Sequence, residues 1–131
     1  MIRGDKLIPL NDYQRTIYNL LVKTDYKVFD EVPQDEVPPL ISIGDYILSD
    51  GTTKGSLSIS QQIDLYSLYE GKFEINTMVS NVLDVLAEAE NSSINDTFFI
   101  SIMKLGESTI TRLEDGIYMA SLNIIFELEE I

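Results

Sequence analysis

The segment GSLSISQQIDLY, residues 55–66, constrains the fold more than any other part of the chain, because apolar and polar side chains alternate along it. Successive side chains of a β-strand point to opposite faces, so this pattern predicts a strand with one buried face and one solvated face. The predicted buried face carries Leu57, Ile59, Gln61, Ile63 and Leu65. Such a strand requires neighbouring strands at its sides and a cover over its apolar face.

Two amphipathic helices are predicted to provide that cover. In NDYQRTIYNLLVK, residues 11–23, apolar side chains recur at helical spacing, and Asn11 is the predicted N-cap with Gln14 three residues later. A second apolar stripe runs through FEINTMVSNVLDVLAEAE, residues 73–90. Each helix has one apolar face and therefore needs a surface to pack against.

The remaining strand patterns fall into two pairs. ISIGDYIL, residues 41–48, precedes the alternating strand across SDGTTKG, which predicts an antiparallel hairpin with a mobile tip. TFFISIMKL and IYMASLNIIFELEEI form a second pair across the turn EDG. With a short strand near residues 28–29, the element order is α-β-β-β-α-β-β. This order predicts a single α+β domain over residues 1–131, with an antiparallel or mixed sheet of four to five strands and both helices on one face.

Three prolines in VFDEVPQDEVPPLISIG, residues 28–44, predict a stiff, extended loop. Pro33, Pro38 and Pro39 each fix φ and remove a backbone donor, which excludes a helix or an inner strand. The chain therefore combines one stiff loop with one supple hairpin tip.

The composition excludes several classes of function. The chain has no cysteine and no histidine, so thiolate nucleophiles, Ser-His-Asp triads and the common zinc sites are excluded. We find no catalytic constellation, cofactor motif or metal-ligand pattern, and no apolar run of the length that a membrane helix needs. The net charge of −13 argues against gripping a phosphate backbone. Such acidity is compatible with simple solubility, with a wall that repels DNA, or with a basic partner.

The order of these segments resembles the phage tail completion proteins, which are the tail-to-head joining or tail terminator proteins of long-tailed phages. The resemblance spans nearly the whole chain, from LLVKTDYK through the proline loop to SISQQIDLYSLYEGK and the final strands. The pattern that carries it consists of Val28, Phe29, Asp30, Val32, Pro33, Pro39, Ile43 and Gly44. The chain departs from the family at Leu40, where an aromatic residue is frequent, and at Tyr66, where the family often has Trp.

The resemblance implies a non-enzymatic virion structural protein. It implies a homohexameric ring in the phage neck that caps the tail tube, docks the head completion or stopper protein, and lets phage DNA pass through its lumen without specific binding. It also implies synthesis in the host bacterial cytoplasm. The predicted interface residues are Asp30, Glu31, Pro33, Asp35, Pro38, Pro39, Asp50, Gly51, Lys54, Tyr66 and Tyr69.

Two alternatives remain open at the level of the sequence. An acidic inhibitor that mimics DNA and binds a basic enzyme would also explain the charge, and it would be a monomer or dimer. A small carboxylate enzyme is disfavoured by the missing histidine. For Tyr66 and Tyr69, the rim of the core is an alternative to a contact patch.

Overall fold

The computed structural model describes residues 2–3 and 6–131. Two helices and seven strands occur in these residues, and a 3₁₀ turn, Val22–Thr24, follows the first helix. In chain order the elements are β1 (Ile2–Arg3), β2 (Lys6–Leu7), α1 (Leu10–Leu21), β3 (Lys27–Phe29), β4 (Leu40–Asp50), β5 (Leu57–Ser67), α2 (Phe73–Ala87), β6 (Phe98–Arg112) and β7 (Tyr118–Glu130).

The main sheet has five strands in the order β3-β4-β5-β7-β6. The short strand β3 pairs with β4 in parallel, and every other neighbouring pair is antiparallel. The predicted α+β class, the mixed sheet and the element order are therefore confirmed. Both predicted hairpins, β4-β5 and β6-β7, are also confirmed.

Both helices cover one face of this sheet, as the amphipathic patterns predict. On β5 the buried side chains are those that the alternation assigns to the core, including Gln61. α1 contributes Tyr13, Ile17 and Leu21, and α2 contributes Ile75, Met78, Val82 and Leu86, all in the same cluster as the apolar side chains of β5 and β7. Removal of this apolar surface from water is the main favourable contribution to folding.

The boundaries of three elements differ from the sequence prediction. The predicted cap at Asn11 is wrong: α1 begins at Leu10, Pro9 occupies the N-cap, and no side chain caps the helix. Pro9 instead accepts a 2.9 Å hydrogen bond from the Tyr13 N–H through its carbonyl oxygen. α2 ends at Ala87 rather than Glu90. β6 continues to Arg112, well beyond the predicted end at Leu105, because its pairing with β7 persists through a polar stretch that lacks apolar alternation.

The sheet has three register shifts; one lies between Ile100 and Ile102 in β6, and the other two lie at the same height on opposite sides of the sheet. Of these two, one lies between Ile43 and Tyr46 in β4, and the other lies between Leu105 and Glu107 in β6. Tyr46 and Leu105 belong to one row of paired residues that runs through Gln61 on β5 and Ile124 on β7. Because a bulge bends its strand and increases the local twist, the sheet curves at this row.

Candidate interaction surfaces

The two predicted interaction loops lie at opposite ends of the sheet. The proline loop, residues 30–39, leads into the first residue of β4, and the hairpin tip, residues 51–56, follows its last residue. Since β4 has 11 residues and a strand rises about 3.3 Å per residue, the two loops are separated by roughly 33 Å.

The eleven predicted interface residues therefore form two groups rather than one site. We call the first group the proline-loop end; its members are Asp30, Glu31, Pro33, Asp35, Pro38, Pro39, Tyr66 and Tyr69. The second group, the hairpin-tip end, consists of Asp50, Gly51 and Lys54. Tyr66 belongs to the first group because it pairs with Leu40, the residue at which the proline loop ends.

Two kinds of contact hold the proline loop against the sheet: hydrogen bonds from a basic side chain of β3, and apolar packing against β4 and β5. Lys27 on β3 lies 2.8 Å from Glu36 Oε1 and also donates to the carbonyl oxygen of Val37. Pro38 lies beside Leu40 and Tyr66 on the face of the sheet that carries no helix, where they line a shallow pocket of about 230 Å³. Leu40 is only 3% exposed there, so the loop covers apolar surface on the second face.

Tyr66 and Tyr69 occupy different environments. Tyr66 is half-buried in the pocket under the proline loop, and burial raises its pKa, with a smaller contribution from the charge of Asp64. Tyr69 is 52% exposed, and its ring centroid lies 6.2 Å from that of Phe73, which is 73% exposed. Phe73 therefore lies beside the predicted interface residue Tyr69, and the sequence prediction did not include it. The four-residue spacing of the two aromatics is the signal that could have indicated it.

The hairpin tip is organised around a buried carboxylate. Glu127 on β7 is only 3% exposed, and its Oε1 accepts hydrogen bonds from the Thr52 N–H at 3.0 Å and the Thr52 hydroxyl at 2.9 Å. The buried Ser56 hydroxyl donates to the Thr53 carbonyl oxygen at 2.7 Å. A Cβ at Gly51 would lie 2.0 Å from Ser56 Oγ, so only glycine fits there. The sequence predicted a mobile tip, whereas the structure shows a turn held by specific hydrogen bonds.

The described residues contain neither a helix that could span a membrane nor a cluster of metal-ligating side chains. Within residues 2–3 and 6–131, no helix has the length and apolar character needed to cross a membrane. No group of three or more potential metal-ligating side chains comes together in the same part of the chain.

Two helices on one face of a five-stranded mixed sheet, with a shaped loop at each end of the sheet, define an α+β protein. The sequence matches the family described as tail completion protein gp17 over residues 18–126. This match covers most of the chain, so the chain belongs to that family, and the resemblance predicted from the sequence is confirmed. Family membership supports a structural role in a phage particle.

Comparison with solved structures identifies the same fold in a phage-like particle. A chain from the structure titled "Virion of native gene transfer agent (GTA) particle" aligns with a TM-score of 0.63 and 14% sequence identity, covering 88% of this chain and 92% of that chain. At this identity the likeness shows the fold alone. A search of curated protein sequences returned no match.

Proposed function

We propose that this protein is the subunit of a homo-oligomeric ring at the junction between phage head and tail. One end of the ring caps the tail tube protein, and the other end receives the head completion or stopper protein. The ring is sixfold, as the resemblance to the tail terminator proteins implies, and its place is the neck of the virion after synthesis in the bacterial host. Its role is assembly rather than catalysis.

The observation that carries this proposal is the position of the two loops at opposite ends of the sheet. A ring that joins two bodies needs a contact surface on each of its sides, and a strand of 11 residues holds the two surfaces at a fixed separation. Both loops are tied down, one through Lys27 and the other through Glu127. A preordered loop loses less conformational entropy on binding, which favours its use as a contact.

The acidity of the chain fits the passage of DNA through such a ring. With 22 acidic and nine basic residues, a lumen lined by this protein would repel the phosphate backbone rather than bind it. Repulsion acts over roughly 8 Å at physiological salt, so acids on the wall of a lumen would act on DNA that does not touch them.

A phage that lacks this protein provides the direct test. We expect electron microscopy to show free heads beside finished, unattached tails, and the wild-type gene to restore joining. If virions without the protein join normally, the proposal is wrong.

Variants at the two ends of the subunit distinguish the contact with the tail from the contact with the head. Lys54→Glu alters the exposed hairpin tip, and Glu31→Lys with Asp35→Lys alters the exposed proline loop. We expect one variant to be absent from purified tails and the other to be present on tails that cannot accept heads. Asp84→Lys, an exposed position on α2, is the matched control. Normal joining by both end variants would contradict the assignment of the loops.

The acidic-inhibitor alternative predicts a different solution behaviour. It requires a monomer or dimer that binds a basic enzyme, whereas a ring subunit assembles on tails. Light scattering of the protein alone and with purified tails distinguishes the two, because template-dependent assembly appears only in the second sample.

A further inference from the structure

The sheet has two uncovered edges, and they lie on its opposite sides. β3 pairs only with Leu40, Ile41 and Ser42, so within the described residues the outer edge of β4 has no strand beside it from Ile43 onward. A groove of about 590 Å³ follows this edge, with walls formed by Gln14 of α1 and by Asp30. Ile47 on the same stretch is 70% exposed.

The outer edge of β6 is covered at its beginning and open afterwards. The segment before β6 forms backbone hydrogen bonds with Phe98 and Ile100. The Glu90 carboxylate accepts a hydrogen bond of 3.2 Å from the Met103 N–H. From Lys104 to Arg112, no backbone segment of the described residues pairs with this edge. Leu105 is 43% exposed and Ile110 is 39% exposed, although both side chains are on the face of the sheet that the helices cover. A long open edge with apolar side chains invites pairing with another chain.

The two open edges begin at the same height. The row of paired residues that starts at Ile47 on β4 crosses Ser60 and Ile125 and ends at Lys104 on β6. The subunits of a closed ring are related by rotation about the ring axis, with no shift along it. When the strands run along this axis, the row of paired residues therefore continues from one subunit into the next. β4 and β6 run in opposite directions, because three antiparallel steps separate them, and such a junction is antiparallel.

Lys104 on the β6 edge and the acids at the β4 edge have opposite charges, and none of them forms an ion pair within the described residues. Arg15, Lys23 and Lys27 have acidic partners. Lys104 has no ion pair in the described part of the chain, and the carboxylates of Asp30 and Asp45 beside the groove accept no hydrogen bond there. Glu107 also lies on the β6 edge, so this edge carries one charge of each sign, whereas Asp30 and Asp45 at the groove are both acidic. In a protein of net charge −13, this difference favours contact between unlike edges.

We propose that the ring closes by strand addition: the open edge of β6 in one copy, Lys104–Ser108, pairs with the open edge of β4 in the next copy, Ile43–Ile47. Lys104 then lies beside Asp45 and Asp30 of the neighbour. Contact between two different edges is heterologous, and a heterologous contact generates rings when its rotation closes. This inference rests on the proposed function, because it concerns how the same ring is held together.

The absence of cysteine in the natural chain permits a clean cross-linking test. Ile47 and Lys104 lie on the helix-free face, directly opposite each other across the proposed junction. Within one subunit they are separated by three strand spacings, roughly 14 Å, which is too far for a disulfide. The variant Ile47→Cys/Lys104→Cys, oxidised on purified tails, is expected to give a ladder of covalent multimers. Ile47→Cys/Thr111→Cys, with the second cysteine seven residues further along the same edge, is expected to give none.

A charge exchange tests the junction without cysteine. Lys104→Asp is expected to reduce the copies retained on tails about tenfold, the factor that corresponds to 1.4 kcal/mol. Asp45→Lys in the same chain is expected to restore them. Rings that form and join heads without a 47–104 cross-link, or a Lys104→Asp loss that Asp45→Lys fails to rescue, would overturn the strand pairing and leave the proposed function intact. Absence of the wild-type protein from tails would overturn both.

Discussion

Tyr13 of α1 and Gln61 of β5, 48 residues apart in the chain, are joined by a buried hydrogen bond of 2.9 Å from the tyrosine hydroxyl to Gln61 Oε1. The amide nitrogen of Gln61 donates to the carbonyl oxygen of Gly44 at 2.8 Å, inside the bulge of β4. The side chain of Gln61, in an otherwise apolar row, therefore forms hydrogen bonds both to the helix and to the bulged strand. This explains why glutamine occupies a core position that is only 1% exposed.

Removal of the tyrosine hydroxyl tests this connection. Tyr13→Phe leaves the Gln61 oxygen buried without its donor, and we expect the free energy of unfolding to fall by about 1–3 kcal/mol. Denaturation in urea measures the change. Tyr18→Phe is the control, since Tyr18 lies on the same helix but is 42% exposed, and a change within about 0.5 kcal/mol is expected there. Equal effects of both substitutions would show that the buried bond contributes nothing.

The same tyrosine predicts loss of stability in alkali. Burial raises the pKa of Tyr13 far above its ordinary value of about 10, with a smaller contribution from Tyr46. Above pH 10 the unfolded chain releases a proton that the folded chain retains, so the unfolded state binds fewer protons and the free energy of unfolding falls as pH rises. The slope approaches 1.36 kcal/mol per pH unit for this one proton.

Unfolding curves at pH 9 to 11 check this prediction. Tyr13→Phe is expected to flatten the dependence, and Tyr18→Phe is expected to leave it unchanged. A slope that is identical in Tyr13→Phe and wild type would assign the alkaline effect to other groups.

Strand and helix patterns in the sequence predicted most of the fold because they depend on local periodicity. The alternation of β5 predicted which of its side chains are buried, and the apolar stripes of the helices predicted that the helices cover this face. The end of β6 could not be predicted in this way. Residues 106–112 are exposed on both faces and are held as a strand only by pairing with β7, so no amphipathic pattern marks them.

The candidate surfaces were predicted as loops but not as two separate ends. Turn residues and prolines identified both loops from local chemistry, whereas their separation follows from the direction of β4. The role of Glu127 could not be predicted from the sequence either. Its hydrogen-bond partner, Thr52, is 75 residues away in the chain, and the sequence around Glu127 is simply that of an alternating strand. Long-range contacts of this kind leave no local signal in a single sequence.

The Glu127 carboxylate is predicted to control the order of the hairpin tip. Glu127→Ala removes the acceptor for the Thr52 N–H, and we expect the amides of Thr52 and Thr53 to exchange with solvent about tenfold faster or more. Glu127→Gln keeps an oxygen acceptor and should show a smaller effect. Amide hydrogen exchange followed by NMR measures each residue.

Glu129→Ala is the matched control for the tip. Glu129 is two residues further along β7 on the same face and is less buried. Exchange that is as fast in Glu129→Ala as in Glu127→Ala would show that the tip responds to lost charge rather than to a lost hydrogen bond.

The neighbouring tyrosines at the proline-loop end are predicted to behave oppositely. Tyr66 packs under the loop against Pro38 and Leu40, so Tyr66→Ala is expected to lower the free energy of unfolding by about 1–3 kcal/mol. Tyr69 is 52% exposed and contacts Phe73, so Tyr69→Ala is expected to change stability by less than about 0.5 kcal/mol.

The expected effect of Tyr69→Ala is on assembly, because Tyr69 is a predicted interface residue. We expect this variant to reduce the number of joined virions, since truncated aromatic contacts weaken interfaces strongly. Urea denaturation together with a count of joined particles separates these roles, and a stable Tyr69→Ala protein that joins heads to tails normally would remove Tyr69 from the interface.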